Sequence, residues 1–223
     1  MSTNRRRLPS LSILTLLAAL LVALPAAGER YEVQVGDSHV LAITDKAGLL
    51  GAFGHRHAVL GTEVRGEICF NAEAPEETRA RVAVPTASLE IDGERGRELA
   101  DIGKGPGVDD VEKIQADMLS ADYLSADRHP EIVFTLTGAK RRGDGEYTAR
   151  GEFQLRGEAR QVELPVRVER GEGGLVISGS FTVKQTAYGI EPSSAGGGTV
   201  KVADEVEVRV RLVGKAADGE CDG

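Results

Sequence analysis

The chain has 223 residues, with 27 Lys and Arg against 35 Asp and Glu, a formal net charge of −8 and no Trp. Such an acidic balance argues against nucleic acid as a partner, because that binding needs a basic surface to neutralise phosphates. It also argues against anionic lipid surfaces, which repel acidic chains.

At the N-terminus, Arg5, Arg6 and Arg7 precede an uncharged apolar run from Leu11 to Leu24 that ends in PAAGER. A basic stretch, a short apolar run and small residues, in that order, predict a secretory signal peptide over residues 1–28, cleaved before Glu29. The run is short for a membrane span of about 20 residues, so a retained anchor is the weaker alternative and no stable membrane insertion is expected after cleavage. With no cysteine near the cleavage site, nothing points to a lipid-modified N-terminus. Removing residues 1–28 takes away three arginines and no acid, leaving 24 basic against 35 acidic residues and a charge of −11. The remainder is enough for one domain with a real core, residues 29–214, followed by a flexible tail at 215–223.

From residue 31 onward the dominant signal is a period of two, which puts alternate side chains on opposite faces of a strand. Tyr31, Val33 and Val35 alternate with Glu32 and Gln34; Val64, Gly66, Ile68 and Phe70 alternate with charged neighbours and Cys69; Val82 and Val84 follow. Residues 92–104, DGERGRELADIGK, read as a charged, solvated loop. The segment VDDVEKIQADML, residues 108–119, predicts a helix with Val111, Ile114, Met118 and Leu119 on one face and two aspartates at its start. Beyond Pro130 the alternation is cleaner. Ile132, Phe134 and Leu136 form one set, then Tyr147, Ala149, Gly151, Phe153 and Leu155. Val162 to Val168, Leu175 to Val183 and Val206 to Leu212 follow, with Gly-rich turns between several of them.

About eight or nine strands with one apolar and one charged face predict an all-β, antiparallel fold. Their number and the shortage of helix favour a closed β-barrel with one short helix near an open end over a two-sheet sandwich. Small inward residues such as Gly151 and Gly179 would leave volume for a ligand, or would relieve crowding where strands bend.

Several stretches together resemble the YceI-like, lipid/polyisoprenoid-binding family. They are DSHVLAITDKAGLLGAFGHRH, VRGEICF, SADYLSADRHPEIVFTLTG, GEFQLRGEARQVELPVRVE, VKQTAYGIEPSS and KVADEVEVRVRL. Most specific are Asp122, Tyr123 and Leu124 leading to Pro130, Glu131, Ile132 and Phe134, then Gly151, Leu155 and Gly157, and Tyr188 to Ile190. The resemblance implies a lipocalin-like extended barrel that takes a long isoprenoid chain, with exported members in the periplasm and no catalytic residues. Many members carry an Arg-Asp-x-His-Leu-Arg-Ser stretch where this chain has Ile114, Gln115, Ala116, Asp117, Met118, Leu119 and Ser120. Only the serine is kept, so roles of the other positions do not transfer.

His55 and His57, one residue apart, are the main polar candidates. Two strand-adjacent imidazoles suit a metal, but zinc needs three or four protein ligands, and no HExxH-type motif accompanies them. His39, His129, Asp37 and Asp45 are the remaining candidate ligands. A metal-dependent enzyme built on the pair is therefore the rival reading, and packing of one imidazole against Phe53 or a rim that meets a ligand's polar head are the others. No Ser/His/Asp spacing argues for a hydrolase. Cys69, in a strand, and Cys221, in a Gly/Asp-rich end, do not stand out as a disulfide pair, and no zinc ribbon, redox CxxC or c-type haem motif is present.

The expected ligand-binding residues are Phe134, Leu136, Phe153, Ile177 and Phe181, with Met118, Leu119 and Tyr123 near the mouth. Tyr147, Gly151 and Gly179, and His55 and His57 at the rim, complete the set. No cofactor is expected. The expected partner is an apolar lipid, a polyisoprenoid or isoprenoid quinone, held for storage or transport by a periplasmic or secreted protein. A homodimer and a ligand-free stress-response or interaction module are the lesser alternatives. Cells should yield a detergent-free soluble chain beginning near Glu29; N-terminal sequencing that finds Met1 or Ser2 on a membrane-bound product would refute the signal-peptide reading.

Overall fold

The computed structural model describes residues 28–48, 55–103, 105–195, 199–219 and 221. The apolar run of the expected signal peptide and Phe53 lie outside the described residues. Eight strands close into an antiparallel barrel, because a sheet with one apolar face removes that face from water, and its own edges from exposure, by curling on itself. In order around the barrel these are β1 (Glu29–Val33), β4 (Arg65–Phe70), β5 (Arg79–Pro85), β7 (Glu131–Gly143), β8 (Glu146–Leu155), β9 (Glu158–Gly171), β10 (Gly174–Lys184) and β12 (Val200–Ala216). Pairing of Tyr31 with Ala216 and Val33 with Gly214 closes the ring.

Beyond the closed section, β12 pairs with β2 (His39–Ala47), β2 with β3 (His57–Gly61), and β3 with the two-residue β6 (Glu90–Ile91). A two-residue β11 (Ser194–Ala195) pairs with the start of β12. The upper end of the barrel is therefore not sealed by a ladder between β6 and β7. Helix α2 (Val108–Leu119) packs beside β6 at that gap, and its Gln115 completes the edge: Oε1 accepts from the Ile91 N–H at 2.8 Å and Nε2 donates to the Leu89 carbonyl at 2.8 Å. A single side-chain amide thus satisfies the backbone groups that a next strand would have met.

The alternation in β7 to β10 and β12 fits this geometry. Tyr147, Leu164, Leu175, Val183, Val208 and Leu212 are buried, while outward Arg150–Glu163 and Arg167–Glu146 pairs stay exposed. Such pairs contribute up to about 1 kcal/mol each. The β8–β9 hairpin turns on Arg156 and Gly157, both at positive φ (52° and 78°) between the paired Leu155 and Glu158, a two-residue turn whose twist suits the flanking strands.

Three expectations need correction. Residues 94–100 are not a solvated loop but helix α1 (Glu94–Ala100), which lays Gly96 and Ala100 against the outer face of β2 and β3. Leu41, Ile43, Ala58 and Leu60 are buried beneath it, so these two strands are apolar on both faces. Residues 215–219 and 221 are not a free tail: β12 continues to Ala216, the Ala217 N–H donates to the Arg30 carbonyl at 3.0 Å, and Cys221 is disulfide-bonded to Cys69 on β4. Finally, neither glycine opens onto the lumen. A side chain on Gly151 would meet the Thr135 carbonyl and the Phe134 ring, and one on Gly179 would meet the Pro165 carbonyl and Val166. The space they leave is filled by neighbouring side chains and strand backbone.

The disulfide joins cysteines 152 residues apart, so it restricts the unfolded chain strongly. Replacing both with serine should cost about 2–4 kcal/mol, read as a lower urea midpoint that reduction of the unmutated protein reproduces.

Candidate functional site

A cavity of about 490 Å³ runs inside the barrel, within the range of roughly 300–1,000 Å³ common for small-molecule sites. Its closed end is sealed by aromatic packing. Phe70 and Tyr147 meet edge to face at 5.6 Å, with the Arg170 and Arg141 guanidinium groups over their rings at 5.8 and 5.6 Å. Tyr31 lies below, donating to Glu29, and burial followed by that carboxylate pushes its phenol up to about 12.

Of the expected residues, Phe134, Leu136, Phe153, Ile177 and Phe181 line the cavity wall, and Tyr147 lines its lower end. Phe153 stacks edge to face on Phe181 at 5.5 Å and on Tyr188 at 5.7 Å. Met118 and Tyr123 line the α2 side of the mouth, together with Ile114, Asp117 and Leu124. Leu119, Gly151, Gly179 and His55 do not line the cavity. Strands β2 and β3 contribute Val40, Ala42, Thr44 and Val59, which the sequence pattern concealed because their outward neighbours are apolar as well.

The two histidines part company. His55 is exposed and precedes β3, whereas His57 opens β3 and lines the cavity mouth with its side chain 15 % exposed. Its Nδ1 lies 2.5 Å from Asp92 Oδ2. Asp92, at φ 55° and with its side chain fully buried, also accepts from the Ala58 N–H at 3.1 Å and from Arg97 Nη1 at 2.5 Å. Arg97 spends its other donors on the Gly103, Arg56 and Ile102 carbonyls. Burial alone would push the Asp92 carboxyl up; the hydrogen bonds from His57, Ala58 and Arg97 outweigh it and hold the carboxyl below its ordinary value. Among the described residues, no group of three or more His, Cys, Asp or Glu is placed to hold a metal ion.

Because its folded-state value is depressed, Asp92 adds stability above its ordinary value of 3.8 that is lost as pH falls through the lower folded value. Asp92→Asn, which leaves Arg97 without its buried partner, should cost about 3 kcal/mol at neutral pH. Thermal unfolding from pH 7 downward should show that difference narrowing only below about 3.8; a gap that stays constant into that range would contradict it.

Comparison with known proteins agrees with this architecture. The model of the YceI-like domain matches residues 31–214. A UPF0312 protein of Azotobacter vinelandii is 28% identical over 109 residues, 48% of this chain and 46% of that protein, so the match spans less than half of the relative's length. Among solved structures, Burkholderia cenocepacia BcnA superposes with a TM-score of 0.61 at 19% identity, covering 81% of this chain and 98% of that one. The Campylobacter jejuni YCEI protein superposes with a TM-score of 0.54 at 12% identity, covering 72% and 85%. At these identities the structural matches speak for the fold. With a closed eight-stranded barrel and a domain match over most of its length, this chain belongs to the family of YceI-like domains.

Proposed function

We propose that this protein is an exported binder that holds an apolar, chain-like lipid of the isoprenoid class inside its barrel, for storage or transport outside the cytoplasmic membrane. The carrying observation is the cavity: an apolar space inside the barrel whose carboxylate and imidazole, Asp117 and His57, both lie at its mouth. Burial of the ligand stabilises it by about 25 cal/mol per Å² of apolar area, so a hydrocarbon chain needs few polar contacts to bind. A filled barrel acting only as an interaction module fits such a cavity poorly. Export is supported by the basic, apolar and small-residue order of residues 5–28, and by a Cys69–Cys221 bridge that suits an oxidising compartment. A metal-dependent enzyme on the histidine pair is disfavoured, because His57 faces the lumen mouth while His55 is in solvent.

Native mass spectrometry of protein taken directly from cells separates bound lipid, bound metal and neither. Unmutated protein should carry lipid. Ala42→Phe or Ala80→Phe, each adding a ring to a wall position, should lose it with little change in melting temperature. In a solid core the same substitutions would typically cost about 1–3 kcal/mol. That loss, together with lipid-free unmutated protein, would end the binding reading.

A further inference from the structure

The polar groups at the cavity mouth have a common sense. Asp92 fixes the orientation of the His57 ring, and Arg97 with the Ala58 N–H fixes Asp92. Of the two imidazole tautomers, donation from Nδ1 to that carboxylate selects the one whose Nε2 is an acceptor, and no described residue hydrogen-bonds that nitrogen. Two further acceptors stand at the same end: Gln185, whose Nε2 is spent on the Ala203 carbonyl at 2.8 Å and whose Oε1 is left over, and the Asp117 carboxylate on α2. Among the described residues, no Lys or Arg lines the cavity. Thr44 and Ser193 can donate or accept, and Thr44 Oγ1 already accepts from the His57 N–H at 3.3 Å. The mouth is thus rich in acceptors, with no Lys or Arg of the described lining to meet an anion.

We infer that His57, positioned by Asp92 and Arg97, is the acceptor for a hydroxyl at the head of the bound lipid, so the site selects an alcohol or phenol over an ether, a carbonyl-only head or a phosphate. This deepens the lipid-binding reading and rests on it. A head without a donor leaves these acceptors to water, and a phosphate brings negative charge towards the exposed Asp117 carboxylate with no Lys or Arg of the described lining beside it. The chain of the ligand supplies affinity and the hydroxyl supplies choice.

Calorimetric titration of the mature protein with three chain-matched probes, geranylgeraniol, its methyl ether and its monophosphate, tests this. The alcohol should bind about tenfold more tightly than the ether, and the phosphate more weakly than either. His57→Phe, which keeps a planar ring without nitrogen, should bring alcohol and ether to equal affinity while changing ether binding by less than about twofold. Equal binding of alcohol and ether by unmutated protein, tighter binding of the phosphate, or discrimination that survives His57→Phe would overturn the assignment of the head while leaving lipid binding intact. Failure of all three probes to bind would overturn both. The probe series on the unmutated protein is decisive by itself should the variant fail to fold.

Discussion

The pairing of one long strand with β10, β2 and β1 sets the geometry on which the rest of the molecule depends. β12 runs for 17 residues, meets β10 along one edge, and divides its other edge between β2 and β1. The division occurs where the chain between β1 and β2 bends away, with the Ser38 hydroxyl accepting from the Val213 N–H at 2.9 Å beside it. One half of β12 therefore seals a cylinder and the other half carries a sheet extension that flares from it. The closed half accounts for the aromatic floor, and the flared half for a mouth.

The flared half needs its own cover, and this is where the charged residues enter. β2 and β3 lie outside the sealed ring, so their outer face, Leu41, Ile43, Ala58 and Leu60, would be wet without α1. That helix is seven residues long and could not hold itself in water. Arg97 holds it, bonding three carbonyls and the Asp92 carboxylate. Desolvating a buried ion pair costs much of what its attraction returns, so the net gain lies in position more than in stability. The same carboxylate that anchors the helix outside the sheet orients the His57 ring inside it.

Strands β7 to β10 and β12 were legible because each has one wet face: Val206, Val208, Val210 and Leu212 alternate with Glu and Arg without interruption. Helix α2 was legible from Ile114 and Met118. β2 and β3 were less so, since VLAIT and HAVLG are apolar at both parities and a period of two disappears when both faces are buried. α1 escaped notice because its inner face is Gly96 and Ala100, too small to register against four charged neighbours. The disulfide was hidden for a different reason: only barrel closure brings residues 69 and 221 together, and no local pattern encodes closure. Likewise, an inward glycine looks like vacant volume until the Phe134 ring is found over it.

The seat of α2 bears on how quickly the barrel exchanges its contents. None of the helix's residues is fully buried; Met118 packs against the core, and the helix's hydrogen bonds to the sheet edge are the two of Gln115. Bonds of this kind contribute about 1 kcal/mol each, far less than unzipping any ladder of the sealed ring. Opening on that side would leave the cylinder's own pairing untouched, so the hydrocarbon area a guest must return to water would weigh more in its residence time than this joint. A long chain would stay and a short one would leave, with the same doorway for both.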